Sequence, residues 1–207
     1  AKPTSHYIPR FRNVYRQETD FLRGYAAGFG AQPNRETNKE GFGAELSNQL
    51  LSTKETGIWN VNSHMMGETI PKESNLVSLD PEKTDTWGIP LLNIDVDYDD
   101  NDEKMIQDFY EQFSEMYEKS GFVNIKTNDN GRRPGNDIHE MGGVRMGKNP
   151  KTSLLNAWNQ MHECKNVFVT DGACMTSTST QNPSLTFMAI SARAANYAIR
   201  QMKKGLI

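Results

Sequence analysis

The segment LLNIDVDYDDNDEKMIQDFYEQFSEMYEKSG, residues 91–121, changes its hydrophobic period halfway along. Apolar and polar residues alternate over 92–98, which predicts a strand with one buried and one wet face. Over 105–116 the large apolar residues recur at helical spacing, and Gly121 supplies the stop signal. A strand and an amphipathic helix therefore follow one another directly along the chain.

The helix needs a start signal, and Asp100 is the predicted N-cap, with Glu103 as its capping-box partner. Further short strands are predicted on either side of it, at residues 21–29, 57–62, 75–79 and 122–126. Together these elements predict an α+β fold in which a mainly antiparallel sheet from residues 20–127 is backed by the helix at 101–119.

The last third of the chain has a different pattern. A short apolar strand is predicted at 166–170, closed by the turn signal Asp171-Gly172. A Ser/Thr-rich loop leads to a second helix, with Asn182 as its N-cap and Pro183 at its first position.

Composition excludes several classes of protein. The 207 residues include 23 Lys and Arg against 26 Asp and Glu, and a net charge of −3 argues against a nucleic-acid binder. No apolar run approaches the roughly 20 residues of a membrane span, and no segment resembles a secretory leader. Cys164 and Cys174 have neither a disulfide-framework pattern nor metal-site spacing. The acidic run at 97–102 lacks the glycine of a calcium loop, so no metal site is predicted.

Three segments remain as candidates for catalytic or binding residues. Each has a purely structural explanation when it is taken alone. They are HEMGGVRMG at 139–147, VFVTDGA at 167–173 and NPSLTFMA at 182–189. His139 could be a hydrogen-bonded loop residue, Asp171 a turn residue and Asn182 a helix cap. Their combination, in this order, is more informative than any one of them.

In that combination the sequence resembles the C-terminal part of the glucose–methanol–choline (GMC) family of FAD-dependent oxidoreductases. Upstream, GETIP at 67–71, NLVSLD at 75–80 and WGIP at 87–90 also resemble this family. The His139 and Asn182 segments are most similar to its pyranose oxidase-like and sugar-acid dehydrogenase branch.

The resemblance implies a domain organisation. Residues 1–138 would be the substrate-binding part, and 139–207 the catalytic loop and the C-terminal strand and helix of the FAD-binding domain. The N-terminal domain that holds the FAD diphosphate in this family has no counterpart in the sequence. The chain is therefore expected to be a fragment that neither holds FAD tightly nor turns over alone.

The resemblance also implies a reaction, in which the CH–OH group of a sugar, sugar acid or other polyol passes a hydride to flavin N5. His139 would be the base, because imidazole has an ordinary pKa near neutral pH. Asn182 would position the substrate oxygen through its amide. The residues implied to lie near FAD are Asp171, Gly172, Asn182, Pro183 and Thr186. The helix N-terminus would stabilise the negative charge of the reduced flavin.

Three alternatives stay open at this point. The chain could belong to an alcohol oxidase of the same family, or it could be a non-catalytic binding or assembly module built on a degenerate copy of the domain. It could also be a carbohydrate-binding domain that stacks sugars on Trp87 or Trp59. The sequence names no electron acceptor and no cellular compartment.

Overall fold

A computed structural model describes residues 4–33, 58–128 and 139–207 of the chain. The described residues form two compact units. The first consists of residues 4–33, 58–69 and 99–127; the second consists of residues 70–98, 128 and 139–207. The functional boundary between residues 138 and 139 stays a prediction.

The first unit contains a three-stranded antiparallel sheet in the order β1-β2-β3. Its strands are β1 (Thr4–Phe11), β2 (Tyr25–Pro33) and β3 (Trp59–Gly67). β2 starts later than the predicted strand at 21–29, because the side chain of Asn13 holds the preceding loop. This side chain donates a 3.0 Å hydrogen bond to the Phe21 carbonyl and accepts one of 2.7 Å from a backbone N–H.

The helix of this unit, α1 (Asp100–Lys119), confirms the prediction at 101–119. Met105, Phe109 and Phe113 point from α1 into the core, where they join Phe21, Tyr25 and Ala27 from the sheet side. The 3.6-residue spacing of the apolar side chains thus produces the buried face that it predicted.

The start of α1 corrects the predicted cap by one residue. The N-cap is Asp99, whose backbone is extended, and its capping-box partner is Asp102. The Asp102 carboxylate is buried and accepts the Asp99 N–H at 3.1 Å, whereas Glu103 is exposed. The buried position of the carboxylate, which the local sequence does not reveal, therefore selects the capping pair.

The end of α1 follows the prediction, but the strand predicted after it is wrong. Gly121 adopts a φ of +81°, and the N–H groups of Gly121 and Phe122 bond back to Glu118 and Tyr117. This is a Schellman motif, accompanied by ring contact between Tyr117 and Phe122. Residues 122–126 form no strand because Asn124 has a φ of +58°, which interrupts extended backbone.

The second unit contains an antiparallel ribbon of β4 (Leu76–Thr84) and β5 (Pro90–Asp95). β5 stops at Asp95, before the predicted end at Tyr98, because the Asn75 side chain bonds both backbone groups of Asp97. Within the described part of the chain, all six β5 residues are exposed, so the expected buried face is absent here. The apolar side chains on one face of the ribbon, none of which is covered, are Val77, Leu79, Leu92 and Ile94.

The second unit also contains a 3₁₀ turn at Gly172–Cys174 and the helix α2 (Ser184–Met202). The strand predicted at 166–170 is reduced to a single bridge between Phe168 and Gln160. The α+β class with antiparallel sheets is confirmed. Within the ranges that the structure describes, no helix combines the length and apolar content that crossing a bilayer requires.

Candidate active site

His139 and Asn182 meet although 43 positions separate them in the sequence. The His139 Nε2 atom lies 3.1 Å from the Asn182 Oδ1 atom, within hydrogen-bond distance. His139 is half-buried and Asn182 is exposed, so a solute can reach both side chains in this chain. The structure therefore brings together the two residues that the sequence singled out for catalysis.

The segment that carries His139 lies along the 3₁₀ turn. The N–H of Val144 donates to the Ala173 carbonyl, and the N–H of Met146 donates to the Cys174 carbonyl, each at 2.9 Å. Within the segment, Gly142 has a φ of +92°, a conformation that side chains other than glycine rarely adopt. These contacts fix the course of residues 142–146 on the turn.

Asp171 and Gly172, two of the residues implied to lie near FAD, form the start of this turn. The Asp171 side chain accepts the Ala173 N–H at 2.9 Å and thereby caps the turn. A Cβ atom placed on Gly172 would lie 3.0 Å from the Met141 sulfur and 3.1 Å from the Glu140 carbonyl oxygen. Asp171 therefore stabilises the turn, and Gly172 lets the segment that contains His139 pass close to it.

The start of α2 differs from the prediction, since Asn182 is not the N-cap. The N-cap is Pro183, which is buried, and no side chain caps this helix end. The Asn182 carboxamide contacts His139 instead. The first N–H groups of a helix lack internal partners and have a partial positive charge. Thr186 lies in this first turn, which presents those groups without a side-chain acceptor.

A cluster that the sequence analysis did not identify holds α2 in place. Arg193 donates a 2.9 Å hydrogen bond to the Oδ1 atom of the fully buried Asn159 and lies 5.8 Å from the Trp158 ring centre. Trp158 in turn stacks on Tyr197, with ring centres 4.9 Å apart. The sequence feature that could have identified this cluster is Arg193, a cation flanked by alanines in the middle of a helix.

Several large apolar side chains of α2 are uncovered in this chain. Leu185 is 78 % exposed, and Met188, Ile199 and Met202 are also exposed, while the buried residue of the helix is Ala194. The packed side of α2 is thus the side that contains Ala194, Arg193 and Tyr197.

Arg145, in the same segment as His139, contacts the chain that follows this segment. Its guanidinium donates to the Thr152 carbonyl at 2.8 Å and braces the following turn. Among the residues that the structure describes, no group of three His, Cys, Asp or Glu side chains could hold a metal ion.

Most of this chain is similar in sequence to known proteins. Residues 71–191 match the family model described as GMC oxidoreductase. A 2-methyl-1,2-propanediol dehydrogenase from Mycolicibacterium austroafricanum is 33 % identical over 198 residues, which are 88 % of this chain and 35 % of that protein. The fructose dehydrogenase large subunit from Gluconobacter japonicus is 26 % identical over 195 residues, or 91 % of this chain and 35 % of the subunit.

A gluconate 2-dehydrogenase flavoprotein from Pantoea cypripedii is 33 % identical over 105 residues, or 46 % of this chain and 17 % of that protein. The chain thus spans about a third of the length of the first two relatives. Because the family match covers more than half of the chain and includes both His139 and Asn182, the chain belongs to the GMC oxidoreductases, a family that is in general FAD-dependent.

Proposed function

We propose that this chain is the C-terminal part of an FAD-dependent oxidoreductase that oxidises a CH–OH group of a sugar, sugar acid or other polyol. The observation that carries the proposal is the 3.1 Å contact between His139 and Asn182 at the start of α2. The names of the relatives, which include dehydrogenases of fructose, gluconate and a propanediol, support the substrate class.

In this proposal the start of α2 lies against one side of the flavin. When bound, FAD supplies the acceptor for the hydride at flavin N5. The first turn of α2 has no side-chain cap, because the Asn182 carboxamide is turned toward His139. An uncapped helix N-terminus favours negative charge, as on the pyrimidine side of a reduced flavin. In this proposal the FAD-adjacent residues are Asp171, Gly172, Asn182, Pro183 and Thr186.

The two catalytic side chains have different roles in the proposal. Asn182 has a neutral amide that can donate through Nδ2 and accept through Oδ1, but it is no base. In the direct contact Oδ1 can only accept, so the Nε2 atom of His139 carries the proton. A substrate hydroxyl that replaces this contact would accept a hydrogen bond from the Nδ2 group of Asn182, once the carboxamide has turned over, and would donate to Nε2 of the other imidazole tautomer. His139 therefore takes the hydroxyl proton, and Asn182 fixes the oxygen from which it comes.

The domain organisation is part of the same proposal. Residues 1–138 provide the substrate-binding part, and 139–207 provide the catalytic loop together with the C-terminal segment of the FAD-binding domain. The diphosphate of FAD would be held by a domain that this sequence does not contain. The chain by itself is then expected to bind FAD weakly and to show no turnover.

The test is His139→Ala in the parent enzyme that contains this sequence, assayed with fructose, gluconate and 2-methyl-1,2-propanediol. Loss of a general base lowers kcat by roughly 10²–10⁴-fold, while flavin absorbance is retained. Glu163→Ala is the matched control, since Glu163 is an exposed side chain of the same unit as His139 and lies outside the proposed substrate-binding part and site. Unchanged turnover in His139→Ala would remove the imidazole from the mechanism.

A carbohydrate-binding module is the second candidate, because Trp87 is 84 % exposed at the end of the β4–β5 ribbon. An exposed indole can stack on the face of a sugar ring. Sugar binding by this chain that disappears in Trp87→Ala, without any flavin-dependent turnover of the parent, would favour this candidate. Turnover that depends on His139 would favour the oxidoreductase and also exclude a non-catalytic assembly module.

A further inference from the structure

The geometry points to Gly172 as a positioning residue for His139, acting through the backbone of the segment 139–141. This inference rests on the proposed function, since it concerns the base of that reaction. It is additional to the proximity to FAD proposed above for Gly172, because it concerns the close approach of Gly172 to the backbone of this chain.

Position 172 holds a glycine because a larger side chain lacks room there, and not because the backbone conformation requires glycine. Gly172 does not have a left-handed φ, so its backbone suits any residue. A Cβ atom would instead meet the Glu140 carbonyl oxygen at 3.1 Å and the Met141 sulfur at 3.0 Å. The sulfur is near the end of a flexible side chain and can move, but the carbonyl is backbone and adjoins His139.

The displacement that a side chain at position 172 causes at Glu140 would extend toward His139. Downstream, the segment is tied to the turn by the 2.9 Å hydrogen bonds from the N–H groups of Val144 and Met146. Among residues 139–207, the contact at the upstream end of the segment is the one between His139 and Asn182. Since the downstream end is held twice, the displacement is taken up at residues 139–141, and the imidazole shifts relative to Asn182.

Gly172→Ala tests this inference, with Gly143→Ala as the matched control. A Cβ atom on Gly143 meets nothing within 4 Å, and Gly143 does not have a left-handed φ, so the same change in the same segment has open space. The first readout is NMR of the protein without added FAD, following the His139 ring and the Asn182 side-chain amide. We expect both signals to shift in Gly172→Ala and to stay in place in Gly143→Ala.

The second readout is the kinetics of the parent enzyme. A misplacement of about 1 Å can cost up to about 10²-fold in rate, so a shift of a few tenths of an ångström is expected to lower kcat of Gly172→Ala by about tenfold. KM stays within about twofold of the parent value, because the side chains of His139 and Asn182 are both retained. Gly143→Ala retains the parent kcat.

Two outcomes would overturn the inference. Weakened FAD binding in Gly172→Ala, with unchanged His139 and Asn182 signals, would assign Gly172 to cofactor contact. Full restoration of kcat by adding Met141→Ala to Gly172→Ala would show that only the flexible thioether was displaced and not the backbone of His139. Failure of the proposed function can be distinguished from both of these outcomes, because it would leave the turnover of His139→Ala undiminished.

Discussion

The buried carboxylate of Asp102, at the start of α1, makes the stability of the first unit depend on pH. Asp102 is 6 % exposed. Burial raises its pKa above the ordinary value for Asp, and the nearby Asp99 carboxylate acts in the same direction. Hydrogen bonds from the Asp99 N–H and from Thr69 oppose this rise but do not cancel it.

The sign of the effect follows from the raised pKa in the folded state. Below the ordinary Asp pKa, Asp102 is protonated in both the folded and the unfolded chain and has no influence on pH dependence. As pH rises through the raised pKa, the folded state keeps its proton longer than the unfolded state, so the free energy of unfolding decreases. At neutral pH the folded protein therefore bears the cost of a buried charge.

Asp102→Asn removes this charge and keeps a carbonyl oxygen that can accept the Asp99 N–H. We expect the variant to match the parent at pH 3 and to be more stable at pH 7 by about 0.5–1 kcal/mol, a fraction of the 1–3 kcal/mol typical for a buried polar group without compensation. For a chain of this size, that is a rise in Tm of about 1–4 °C.

Thermal unfolding followed by circular dichroism at both pH values is the assay. Asp102→Ala is the matched control, because it removes the charge and the acceptor together; loss of a cap partner typically costs about 1 kcal/mol at either pH. If Asp102→Asn were less stable than the parent at pH 7 but equal to it at pH 3, the hydrogen bonds of the charged carboxylate would outweigh its desolvation, and the reasoning would be refuted.

Two further predictions concern packing and thiol access. Phe109→Ala is expected to lower the free energy of unfolding by about 3–5 kcal/mol, because the buried ring contacts Phe113 at 4.5 Å and Tyr25 at 5.8 Å between ring centres; a loss below 1 kcal/mol in denaturant titration would contradict the core assignment. Cys174 is buried, and burial raises the pKa of its thiol, whereas Cys164 is exposed. A thiol reagent at pH 8 is expected to label Cys164 rapidly and Cys174 only on unfolding, and rapid labelling of both in the native protein would argue against the burial of Cys174.

Features that depend on neighbouring residues were predictable from the sequence. The helical spacing that produced α1 repeats within a few residues, and its stop at Gly121 requires only one left-handed residue. Local patterns failed where one residue departed from the expected backbone, as at Asn124, or where a predicted strand formed only one bridge, as at 166–170.

The candidate site shows most clearly which features the sequence predicted and which required the tertiary structure. The sequence supplied an imidazole, a turn and a helix start, and it suggested Asn182 as a cap because short polar side chains generally cap helices. Only the tertiary structure turned this carboxamide toward His139, 43 positions away, and left the helix end uncapped. A partner as distant in sequence as His139 leaves no signature in the residues around Asn182. For the same reason the space that Gly172 leaves for Glu140 is visible only when the two segments are folded together.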